Sequence, residues 1–77
     1  MSTLKRQRLQ AALYACQRIR KNEDGEFLAR ALRLAGTPVS VASLRRLCDA
    51  GCLEFRMNGT GKAGAKWYRV VRSTLPF

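Results

Sequence analysis

Leu44-Arg45-Arg46-Leu47-Cys48-Asp49-Ala50-Gly51-Cys52-Leu53-Glu54-Phe55 changes its apolar period at Gly51. Before the glycine, Val41, Leu44, Leu47 and Cys48 recur at three- and four-residue steps, the inner stripe of a helix. After it, Leu53, Phe55 and Met57 alternate with Glu54 and Arg56, the period of a strand with one apolar face. Glycine suits the residue just past a helix end because that position favours left-handed backbone. The stretch therefore predicts a helix over residues 39–50, a tight exit, and the first strand of a hairpin.

Working outward, Gly36-Thr37-Pro38 marks a turn, because Pro38 drives Thr37 out of helical angles. Upstream of it, Leu28, Ala31, Leu32 and Ala35 form a second helical stripe, widened by Phe27 and Leu34. This predicts a helix over residues 26–35, with Asp24 as its cap and Glu26 paired to Arg30 one turn on. Asn22-Glu23-Asp24-Gly25 is a break, and no segment between the first two helices has a clear strand pattern. The first helix spans residues 3–21, with Leu9, Ala12, Leu13, Cys16 and Ile19 on one stripe and Ser2 or Thr3 as cap. Downstream, Trp67, Tyr68, Val70 and Val71 fit a second strand over residues 66–72, Tyr68 and Val70 facing inward. Residues 58–65 carry three glycines and one cation, the composition of an exposed, mobile hairpin tip. The expectation is one α+β domain over residues 1–77, three helices followed by a two-stranded hairpin.

The ordered residues from Leu44 to Phe55, with Ala50-Gly51 ahead of two apolar positions, resemble the junction of recognition helix and wing in winged helix-turn-helix repressors of the multidrug-resistance and arsenical types. Lys66-Trp67-Tyr68-Arg69-Val70 is similar to the aromatic second wing strand of that family, and the likeness covers residues 25–72. The resemblance implies a winged helix-turn-helix that binds double-stranded DNA as a small transcriptional regulator. It places the helix over residues 39–50 in the major groove and a wing over residues 56–66 on backbone or minor groove. The recognition-helix contacts would be Thr37, Ser40, Ala42, Ser43, Arg45 and Arg46. On a helical wheel Ala42 and Arg46 point most directly away from the stripe, while Arg45 lies at its boundary. Arg46 is a long donor able to bridge guanine O6 and N7. The wing contacts would be Arg56, Asn58, Thr60, Lys62 and Lys66.

Charge points the same way. Fifteen Lys and Arg against five Asp and Glu in 77 residues give +10, with a pI near 10.9. A surplus of that size implies a polyanionic partner rather than any particular fold. Lys5, Arg6 and Arg8 sit at the positive pole of the first helix, where each cation costs a few tenths of a kcal/mol, so a phosphate contact is expected there. The chain has no histidine, the usual general base, and Gly59-Thr60-Gly61-Lys62 is only a fragment of a phosphate loop. Neither an enzyme nor a cofactor is expected. Cys16, Cys48 and Cys52 are odd in number and lack zinc-ligand spacing, which predicts free thiols and a reducing, cytoplasmic setting. The apolar run before Cys16 is interrupted by Gln10 and bulky at Tyr14, unlike a lipoprotein signal, and no stretch has the length of a membrane span. A monomer or homodimer fits equally. The alternative is a protein-interaction module of the same fold, an inhibitor or adaptor of a polymerase or recombination complex. RNA is the weaker option, because few aromatics are placed for base stacking.

Overall fold

The structure, a computed structural model, describes residues 3–58 and 65–77; the expected contacts Thr60 and Lys62, the tip of the hairpin and Ser2 lie outside the described residues. Helix α1 covers Thr3–Arg18 and buries Leu9, Ala12, Leu13 and Cys16, the predicted stripe. It ends short of Lys21, and the Lys21 ammonium turns back to donate to the carbonyls of Gln17 (2.7 Å) and Ile19 (2.9 Å). That contact answers two carbonyls left without helical partners at the negative pole.

The next segment departs from the sequence expectation. Asn22 does not lead into a helix; its Oδ1 accepts from the backbone N–H groups of Asp24 (3.0 Å) and Glu26 (2.8 Å), closing a turn. Glu26–Phe27 then forms a strand, β1, and the second helix, α2, is only Ala29–Leu34. Asp24 is therefore not its cap; Leu28 occupies that position without a side-chain hydrogen bond. The reason is tertiary. Phe27, 2% exposed, fills the core from a backbone that pairs with the hairpin, and this outweighs a local helical period.

Helix α3 covers Val41–Asp49, as predicted to within a residue or two. Both α2 and α3 finish in the same device. After α2, Thr37 N–H donates to Leu32 O (3.0 Å) and Gly36 N–H to Arg33 O (3.1 Å). After α3, Cys52 N–H donates to Leu47 O (2.9 Å) and Gly51 N–H to Cys48 O (3.0 Å). Gly36 and Gly51 hold φ of 81° and 79°, the left-handed value this paired closure needs.

Strands β2 (Leu53–Asn58) and β3 (Ala65–Val70) make the expected hairpin, with Leu53 opposite Val70, Phe55 opposite Tyr68 and Met57 opposite Lys66. The sheet has three strands rather than two: β1 adds to the far side of β3, antiparallel, in the order β1-β3-β2. Opposed residues share a face, so Phe27, Tyr68, Phe55 and Leu53 all line the side that the helices cover. Tyr68 is buried; it stacks on Phe27 at 5.9 Å between ring centroids and meets Phe55 at a tilt, at 6.1 Å. Leu13, Leu32, Leu44 and Leu47 complete the centre with no exposure. Phe55 and Met57 stay about half exposed, because the hairpin runs out past the helices there. Residues 73–77 lie back along α1 in the opposite direction. Gln17 Nε2 donates to Ser73 O (2.8 Å), Arg6 Nε donates to Phe77 O (2.7 Å), and Leu75 between them is buried.

An added Cβ at Gly51 meets nothing within 4 Å, so the cost of a side chain there is conformational alone. Gly51→Ala should destabilise the protein by ~1–2 kcal/mol and leave the slope of a urea unfolding curve unchanged, since packing and exposed surface stay the same.

Candidate nucleic-acid interface

Helix α3 is the element to build from. Ser40 caps it: its Oγ accepts from Ser43 N–H (3.1 Å) and donates to Ser43 Oγ (3.0 Å). Leu44 and Leu47 centre the buried side. At about 100° per residue, that centre leaves Val41 roughly a quarter-turn away. Val41 is accordingly 70% exposed, which corrects its place in the predicted inner stripe. The solvent face then runs through Val41, Arg45, Asp49, Ala42 and Arg46 in angular order. Ala42 and Asp49 lie at its middle, and the two arginines flank them. Arg45, expected at the boundary, is exposed as Arg46 is.

The two flanks face different neighbours. On one side, Arg46 and Asp49 border a hollow with Leu9 of α1 and with Pro76 and Phe77. Ser40 and Ser43 line a groove that α1 walls with Arg8 and Tyr14. On the other side, Cys48 lies within the electrostatic reach of Lys66 on β3. The Lys66 ammonium sits 4.6 Å from the centre of the Phe55 ring. Arg45, three residues before Cys48, therefore faces the hairpin side of α3, and Arg46 faces the α1 side.

Several expected contact groups already have protein partners. Thr37 Oγ1 donates to Leu32 O at 3.4 Å and its N–H closes α2, while both Ser40 and Ser43 hydroxyls belong to the α3 cap. Arg6 is bound to Phe77 O and Lys5 is also engaged within the protein, while Arg8 is exposed. Asn58 ends β2 with its backbone opposite Ala65. Arg56, expected on the wing, makes a two-pronged ion pair with Glu26, Nε to Oε2 at 2.7 Å and Nη2 to Oε1 at 2.9 Å. The expected Glu26–Arg30 pair does not form, and Arg30 stays exposed. Arg56 reaches across β3 to do this, and beside it Arg69 pairs with Glu54. The outer face of the sheet is thus a lattice of opposite charges that ties β1 to the hairpin. Its guanidinium engaged this way, Arg56 is a strap first.

Sequence reasoning missed this strap because its partners are far apart in the chain; alternation alone placed Arg56 on the solvent side without saying what it meets there. Cys16 and Cys48 show no sign of activation. Burial pushes Cys16 up to about 11, and burial, with Asp49 adding to it, also raises Cys48, so both are neutral thiols at physiological pH.

Hydrogen bonds from Arg56 hold the Glu26 carboxyl below its ordinary value near 4.5. With the folded value the lower, the unfolded chain takes up the proton first on acidification. The stability from this pair is complete above about pH 4.5 and is lost as pH falls through the folded value. Glu26→Gln should therefore lower the urea midpoint at neutral pH. Its midpoint should also fall less than that of the unaltered chain as pH drops to about 3.

Compared with models of known protein families, with curated proteins and with solved structures, the chain matches none.

Proposed function

We propose that this chain is a winged helix-turn-helix domain that binds double-stranded DNA, with α3 as the major-groove helix and the β2–β3 hairpin as its wing. The observation that carries the reading is the solvent face of α3. Ala42 lies at its middle near the capped N-terminus, with Arg45 and Arg46 standing clear on either side. A small central residue lets the helix axis come close to the groove floor, and two long forked donors then reach base edges in different directions. The order helix, short strand, helix, helix, strand, strand supports it, as does the likeness of residues 44–55 to the helix–wing junction. The +10 charge supplies the sequence-independent attraction to phosphate.

The contact assignment differs from the one the sequence suggests. Arg45 and Arg46 share the base-reading role. Lys66 is the phosphate contact beside the wing, and Arg56 positions the wing through Glu26 instead of touching DNA. Asp49 on the same face limits approach at the C-terminal end of α3, so contact concentrates on its first two turns.

Arg45→Ala and Arg46→Ala should each cost ~1–3 kcal/mol of affinity for a preferred duplex and relax discrimination at different base positions. Lys66→Ala should weaken all duplexes alike and reduce the log–log salt slope by about one unit. Fluorescence anisotropy at several salt concentrations measures all three. Equal losses on all sequences for Arg45 and Arg46 would count against base reading.

A further inference from the structure

Between α1 and the turn that joins α2 to α3 lies a second surface, apart from Arg45 and Arg46. Arg8, Ala11, Ala15 and Arg18 follow one another at three- and four-residue steps and form one wall of an open groove of about 670 Å³. The turn between α2 and α3 forms the other wall, chiefly through Pro38 and Val39. Between the two arginines the α1 wall is made of alanine methyls together with Tyr14, and Ala35 adds another methyl from the opposite side. At about 1.5 Å per residue, Arg8 and Arg18 stand ~15 Å apart along α1, nearly three helical turns. Tyr14 is 54% exposed at the rim and is held in place by Arg18, which donates to its hydroxyl (2.9 Å) and lies 5.5 Å from its ring centre. Among the described residues no acidic side chain lines the groove.

We propose that this groove is a docking site for an acidic amphipathic helix of another protein. The alanine floor offers depth and apolar area to a row of large side chains spaced along one helix face. The arginines at either end offer charge to carboxylates flanking that row. The same chemistry disfavours the other occupants. A duplex backbone needs donors along its length, and here it would meet methyl groups. A second copy of the chain brings its own +10 charge. The proposal is independent of DNA binding through α3, because the groove lies along α1 and takes only Ser40 and Ser43 from the α3 end.

The test is selection from a displayed library of helix-forming peptides about 16 residues long against the folded chain. The selected peptides are then titrated against Ala11→Trp, which fills the groove, and Arg18→Glu, which inverts one end. Ala11 and Arg18 are both exposed, and circular dichroism melts verify that the variants fold. The expected result is enrichment of peptides with large apolar residues every third or fourth position and Asp or Glu beside them. Binding of these should fall about tenfold or more in each variant. Duplex affinity should be unchanged in Ala11→Trp, and excess duplex should not displace the peptide. No enrichment, or peptides that bind both variants undiminished, overturns the proposal. So does duplex binding that is lost together with peptide binding in Ala11→Trp, which would assign the groove to nucleic acid. If the chain binds no duplex at all, the peptide arms decide alone.

Discussion

Phe27 is the residue through which the short first strand joins the core. It belongs to a strand of two residues, and two ladder positions alone hold a strand weakly. What fixes it is the burial of its ring against Tyr68, with the Lys21 ammonium 5.9 Å above that ring. Truncating a fully buried Phe costs ~3–5 kcal/mol, and a domain of this size rarely holds much more than that in total. β1 is therefore held to β3 largely through one aromatic pair, and the Glu26–Arg56 ion pair on the opposite face keeps the neighbouring backbone from peeling away. One side of the β1 connection is apolar and the other ionic, so the short strand is gripped from both faces.

From that anchor the geometry of α3 follows. The paired hydrogen-bond closures at Gly36 and Gly51 set how the chain leaves α2 and how it enters β2. Leu44 and Leu47 then fix the rotation of α3 about its own axis, since both must be dry. Rotation and direction together determine that Arg45 and Arg46 straddle Ala42 in solvent. The cations of the chain divide accordingly. Arg6, Lys21, Arg56 and Arg69 are committed to carbonyls or carboxylates of the fold. The arginines of α3 are placed on the open face. A high net charge does not by itself distinguish these uses; partner geometry does.

The parts of the fold that could be seen in the sequence are those decided within a few residues. The end of α3 and the start of β2 depend on Gly51 and on a change of period beside it, and both are where the pattern puts them. The buried stripe of α1 is a local matter too. The rest depends on contacts between distant positions. β1 is too short to show a period, and its pairing partner lies some forty residues on at Tyr68 and Arg69. Glu26 has Arg30 within helical reach, so a helix with an i, i+4 pair is a consistent local reading until Arg56 takes the carboxylate. Val41 has the spacing of a core residue but loses its place once Leu44 and Leu47 centre the buried face. Leu75 follows no pattern at all, yet it fills the core from a segment with no regular structure. For the candidate interface, the helix and its arginines are legible in the sequence, whereas the separation of structural cations from exposed ones is not.

The central claim is that the open face of α3 reads base sequence, and selection from a pool of randomised DNA duplexes tests it most directly. The account predicts that repeated rounds enrich a short motif containing guanine, with binding that weakens steeply as salt rises, and that the Arg45→Ala, Arg46→Ala double variant loses the motif while retaining weak general binding. A pool that stays random through selection, or a motif that the double variant enriches unchanged, would contradict it.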